Sequence, residues 1–111
     1  MAKKLLLKGI AASQGFAEGR AKLFFSGDDA SSFKEGEILV TTLTDPTMVQ
    51  TMIRAAAIVT DTGGITSHPA ILSREMGIPC VVNTKEATKL IHDGAHIIVD
   101  GAKGEIYELD K

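Results

Sequence analysis

The sequence predicts a mixed α/β domain, a sheet covered by helices, formed by residues 1–111 as one unit. Two patterns and one quantity carry that reading. Short β-branched apolar segments alternate through the middle of the chain with segments of helical periodicity, and a strand pair closes the C-terminal end. Glycines and Asp-Gly or Asp-Pro pairs fall between those segments, where turns belong. With 111 residues, 44% of them hydrophobic and 23% charged, the chain can bury a core without disulfides or a metal.

Met1 to Lys8 combines basic residues with Leu5-Leu6-Leu7, an apolar run too short for a signal peptide. Gly9 to Gly19 is predicted to be an irregular Gly- and Ala-rich lead-in. Ala21 to Phe25 is a strand candidate, Ser26 to Ser32 a polar loop, and Glu37 to Thr41 a second strand. Asp45-Pro46 opens a helix, with Asp45 able to cap it and Pro46 suited to the first helical position. Met48, Val49, Met52, Ile53 and Ala56 continue it at helical spacing. Ala57 to Thr60 is predicted as a buried strand and Asp61 to Ser67 as a glycine loop. A helix follows from about Pro69 to Met76, stopped by Gly77. Ile78 to Val82 is the next strand, and Thr84 to Ile91 a short helix ended by Asp93-Gly94. His96 to Asp100 and Glu105 to Leu109 form a hairpin around Gly101 and Gly104.

Charge and length exclude some partners. Twelve Lys and Arg against 14 Asp and Glu give a net charge of −2, so the basic excess of a nucleic-acid binder is missing. No segment approaches the length of a membrane span. Cys80 is the only cysteine, which rules out an internal disulfide and points to the cytoplasm.

Chemistry concentrates in Asp61 to Pro79. His68 stands at or next to the cap of the predicted helix, because Pro69 suits its first position. A helix start presents free N–H groups and a partial positive charge, which favour an anion. Gly63 and Gly64 let the backbone approach a phosphate closely. Thr66 and Ser67 add hydroxyls, and the amides of Ala70 and Ile71 add N–H donors. Imidazole, with an ordinary pKa of about 6.5, is a capable nucleophile near pH 7. Spacing alone also fits a plain polar cap at His68 and a simple turn at Gly63-Gly64.

The stretch Gly63-Gly-Ile-Thr-Ser-His68-Pro-Ala-Ile-Leu-Ser-Arg74-Glu-Met-Gly-Ile-Pro79-Cys-Val-Val-Asn83 resembles the phosphohistidine motif of the phosphoenolpyruvate-utilising enzymes. These include pyruvate phosphate dikinase, phosphoenolpyruvate synthase and enzyme I of the sugar phosphotransferase system. Gly9 to Gly19 is similar to that family's opening segment and Asp100 to Tyr107 to its closing hairpin, so the resemblance covers roughly Gly9 to Leu109. It implies a swivelling β/β/α phosphohistidine domain in which His68 accepts a phosphoryl group at one site and delivers it at another. It implies that this chain binds no cofactor. Mg²⁺ with ATP or phosphoenolpyruvate then belongs to partner domains or subunits that bind nucleotide, phosphoenolpyruvate or pyruvate. It also admits a different class of function, a docking or regulatory module like the domains appended to some pyruvate kinases. A complete small phosphohydrolase or mutase is a weaker third option.

Three positions depart from the family pattern: Pro69 for the usual Ala, Asn83 for the usual Gly, and Gln14 for a frequent Pro. Thr66 matches a threonine that a regulatory kinase phosphorylates in some dikinase relatives, against the plainer role of bonding within the loop. Arg74 is six residues beyond His68, about 240° around a helix, and is expected to form a structural ion pair with an acid. His92 and His96 have a metal-like i, i+4 spacing, but Asp93-Gly94 should break any helix between them, so no metal site is expected. Cys80 lies in an apolar run and reads as core, as do Met48 and Met52.

Overall fold

The computed structural model describes residues 3–109. Its elements are β1 (Lys3–Lys8), β2 (Ile10–Ser13), β3 (Phe16–Leu23), β4 (Ile38–Thr41), α1 (Val49–Met52), β5 (Ala57–Thr60), α2 (His68–Met76), β6 (Cys80–Val82), α3 (Ala87–Leu90), β7 (His96–Asp100) and β8 (Glu105–Leu109). Short 3₁₀ turns cover Ala30–Ser32 and Pro46–Met48. The strands lie in the order β1-β8-β7-β3-β4-β5-β6-β2. β3, β4, β5 and β6 pair in parallel, and the remaining pairs are antiparallel.

Alternation along the parallel strands sorts side chains into two cores. Ile38 and Val40, Ala57 and Val59, and Val81 pack against Ile97, Val99 and Ile106 of the antiparallel strands. Leu39, Ile58, Cys80 and Val82 point the other way, toward Met48, Met52, Phe33 and Ala70. Two β layers and one helical layer result, as the swivelling β/β/α expectation required. The parallel strands read as continuous apolar runs because both of their faces are covered.

β1 and β2 end up at opposite edges of the strand order with only Gly9 between them. The sheet therefore curls until its two edges meet at that residue. The Gly9 amide donates to the Gly104 carbonyl at 2.8 Å. A Cβ on Gly9 would stand 2.5 Å from the Val82 carbonyl oxygen, so the seam excludes every side chain there.

Four expectations need correction. The lead-in is not irregular: it holds β2 and the first half of β3, which pair with β6 and β7. Its short Gly- and Ala-rich run carries little period-2 signal, and distant partners supply the order. The strand expected over Ala21 to Phe25 instead runs from Phe16 to Leu23. The helix after Asp45 is a 3₁₀ turn followed by one α turn, and Ile53 is exposed. There the chain turns back toward β5, and the Ala56 amide already bonds the Glu37 carbonyl. Asp45 does cap this turn, accepting from the Thr47 amide at 2.8 Å. The helix expected over Thr84 to Ile91 is likewise shorter, Ala87–Leu90.

Candidate functional site

The segment that follows β5 builds the site. Asp61 anchors it: the carboxylate accepts from the Thr88 amide at 2.9 Å and the Thr88 hydroxyl at 2.5 Å. The Thr62 amide and hydroxyl both reach the Thr42 carbonyl at 3.1 Å, tying the loop to the segment after β4. Gly63 has φ 109°, and a Cβ there would stand 2.9 Å from Ser67 Oγ. Both its conformation and its surroundings therefore demand glycine. Gly64 meets nothing within 4 Å on its Cβ side, and its carbonyl accepts from Ser67 N at 3.0 Å and Ser67 Oγ at 2.6 Å. Thr66 is exposed at the tip of this turn.

The helix begins one residue earlier than its sequence suggests. Ser67 is the N-cap, His68 the first helical residue and Pro69 the second. Ser67 makes no side-chain cap bond, because its hydroxyl closes the turn onto Gly64. Pro69 is compatible here, since a first-turn N–H has no intrahelical acceptor to lose. The Ile71 amide, expected as a free donor, instead bonds the Ser67 carbonyl at 3.0 Å. The first-turn donors left without an intrahelical acceptor are those of His68 and Ala70. Ala70 is fully buried and seats the helix start against the sheet.

His68 is half-buried, and its Nδ1 lies 2.8 Å from the hydroxyl of Thr44. Thr44 is itself buried, so the bond fixes the ring and turns Nε2 away from it. Sequence reasoning missed Thr44, which is 24 residues upstream; its one signal is its place just before the Asp45-Pro46 cap. Hydrogen bonds from the Thr47 and Ser26 hydroxyls hold the Asp45 carboxyl below its ordinary range, with the Thr47 amide and the nearby His68 adding to the effect.

Arg74 departs from expectation in its partners. Among the described residues it pairs with no acid; its guanidinium donates to the carbonyls of Ala12 at 2.7 Å and Ile65 at 2.5 Å, clamping the glycine loop to β2. His92 and His96 do not share a helix: His92 precedes the Asp93-Gly94 turn, and His96 opens β7 with Nε2 2.8 Å from Glu18. Cys80 is fully buried in the core, as read. Asn83 has φ 56°, which explains the usual glycine there and why asparagine can replace it. No helix among the described residues is long and apolar enough to cross a membrane.

Comparison with known proteins gives a consistent answer. The chain is 58% identical over 105 residues to a probable phosphoenolpyruvate synthase of Archaeoglobus fulgidus and 55% identical over 105 residues to the phosphoenolpyruvate synthase of Pyrococcus furiosus. Each match covers 95% of this chain but only 14% and 13%, respectively, of those relatives. Among solved structures it is similar to an enzyme I protein, with TM-score 0.64 and 29% identity, over 76% of this chain and 35% of that one. A chain in the crystal structure of Thermococcus kodakaraensis aconitase X overlays with TM-score 0.71 at 21% identity, over 99% of this chain and all of that one, a likeness of fold alone. The family model described as "PEP-utilising enzyme, mobile domain" matches residues 33–104, spanning Thr44, the glycine loop and α2 together. By that match and those identities, the chain belongs to the mobile-domain family of the phosphoenolpyruvate-utilising enzymes.

Proposed function

We propose that this chain is the phosphoryl-carrying domain of a phosphoenolpyruvate synthase-type enzyme and that Nε2 of His68 is the atom that carries the phosphoryl group. The observation behind this is the bond between Thr44 Oγ1 and His68 Nδ1. With the Nδ1 proton donated to that hydroxyl, the lone pair lies on Nε2, and the ring is held with that atom turned away from Thr44. Nε2 attacks the phosphorus, an N–P bond forms, and the donor's P–O bond breaks with its electron pair leaving on oxygen. The imidazolium charge that develops is stabilised at Nδ1–H by Thr44. Onward transfer reverses the geometry: an enolate oxygen of pyruvate attacks phosphorus, and the N–P electron pair returns to Nε2. The amides of His68 and Ala70, the Gly63-Gly64 backbone and the Thr66 hydroxyl supply donors for the phosphoryl oxygens. The hydroxyl of Ser67 supports them by closing the turn.

Partner domains supply the rest. Among the described residues no three His, Cys, Asp or Glu side chains are grouped to hold a metal ion, and we assign Mg²⁺, ATP and pyruvate or phosphoenolpyruvate to those domains. The experiment is a chimera in which this chain replaces the matching 105 residues of the Pyrococcus furiosus synthase. Incubated with labelled phosphoenolpyruvate, it should gain one acid-labile phosphoryl group that is absent in His68→Ala. Label retained in His68→Ala overturns the assignment.

A further inference from the structure

We propose that Phe25, Leu43, Ile65 and Ile71 form an apolar docking collar around His68, which seats a partner domain whose contact surface is apolar around a cationic centre. The inference rests on the carrier reading and names the partner surface that the same site would take. These residues are 39%, 45%, 57% and 45% exposed. They come from four separate segments that reach the same end of the parallel strands.

Phe25 lies just beyond β3, at the same strand end from which the chain after β4 runs on to Leu43 and Thr44. Leu43 precedes Thr44, the partner of His68, and its Cδ1 lies 3.5 Å from where a Gly63 Cβ would stand. Ile65 is in the glycine loop, its carbonyl gripped by Arg74. Ile71 is three residues along α2 from His68, on the same helical face. The patch is thus attached to positions already pinned by hydrogen bonds, and covering it costs little ordering entropy.

The occupant follows from charge and from the share of its relatives that the chain spans. Asp45 stands anionic beside His68, and a phosphoryl group on Nε2 adds a dianion. A surface that settles there must bring positive charge to the middle and apolar groups to the rim. The chain spans 13–14% of the synthases it matches, so the rest of such a protein is the source of that surface. Docking would also dry the N–P bond while it forms and breaks.

The test uses the chimera with the Pyrococcus furiosus synthase and two phosphoryl donors. Phosphoenolpyruvate reaches His68 through a partner domain; phosphoramidate is a small donor that reacts from solution. Leu43→Ser with Ile71→Ser should slow labelling by phosphoenolpyruvate at least about tenfold and leave labelling by phosphoramidate within about twofold of the parent. Ile53→Ser with Leu90→Ser, exposed apolar positions outside the collar, should change neither. Parental rates from phosphoenolpyruvate in the collar variant overturn the proposal. So does an equal loss with both donors, which would place the effect on the histidine itself. A stable dimer of the isolated chain that Leu43→Ser dissociates also overturns it, by giving the collar to a second copy. A parental chimera labelled by neither donor sinks the carrier reading instead.

Discussion

At the scale of the residue, the two nitrogens of His68 are made unequal by one neighbour. Nδ1 meets the buried Thr44 hydroxyl, and nothing else in the site needs to choose between the nitrogens. Thr44→Val keeps the shape and removes the oxygen, so the ring loses the bond that orients it. A net hydrogen bond of about 1–1.5 kcal/mol corresponds to roughly a tenfold effect. Labelling of His68 by phosphoramidate should therefore slow about tenfold in Thr44→Val. An unchanged labelling rate would remove Thr44 from the mechanism. The contrast between His68 and Thr44 also shows what a sequence discloses about a site. Glycines, hydroxyls and the histidine are contiguous, so their chemistry is legible from spacing. Thr44 joins them only because β4 and β5 lie side by side and their following loops bond each other at Thr42 and Thr62. Arg74 illustrates the same limit: its helical phase correctly turned it away from His68, but its carbonyl partners come from folding Ala12 and Ile65 together.

At the scale of the element, legibility follows locality. The closing hairpin was readable to the residue, and so was β5, because strand propensity and turn residues sit within a few positions of one another. β2 and the start of β3 were not, because their order comes from β6 and β7, far along the chain. Gly9 and Gly104 meet at the seam, and Gly101 packs against the end of β2. Gly101 packs so tightly on the Ser13 carbonyl that a Cβ would lie well inside contact distance, with Pro79 3.0 Å away on the same side. Neither obstacle is the end of a flexible side chain, so the backbone itself must shift. Gly101→Ala should cost at least about 2 kcal/mol, the range of severe overpacking. Gly64→Ala, which meets nothing within 4 Å, should stay within about 1 kcal/mol, the ordinary scale for a surface glycine. Urea unfolding of the two variants distinguishes them; equal midpoints would mean that the seam is loose.

At the scale of the whole molecule, a sheet whose edges meet at Gly9 should behave as one cooperative body, because neither β layer can open without breaking the seam. The chain carries a natural probe in each core-bounding layer: Tyr107, its only tyrosine, on the antiparallel side, and Cys80, its only cysteine, on the face toward α2, with no tryptophan to interfere. Burial pushes the Cys80 thiol up from 9.0 to about 11, against weaker opposing effects of Ser73 and Arg74. In the folded protein near neutral pH only roughly one thiol in several thousand is ionised, so a disulfide reagent reports unfolding rather than local reactivity. Tyrosine fluorescence and thiol labelling should accordingly give the same urea midpoint; separated midpoints would show that the layers come apart independently. The same thiol fixes the sign of an alkaline effect. Above pH 9 the unfolded chain releases the Cys80 proton while the folded chain retains it, so stability falls as pH rises, until the folded thiol also ionises near pH 11. At about 1.4 kcal/mol per pH unit the loss is on the order of 3 kcal/mol. Hydrogen bonding to Glu105 also raises the Tyr107 phenol, which pulls in the same direction. Cys80→Val in a Tyr107→Phe background should therefore flatten the fall in stability between pH 9 and 11. A slope equal to that of Tyr107→Phe alone would show that the buried thiol contributes nothing to it.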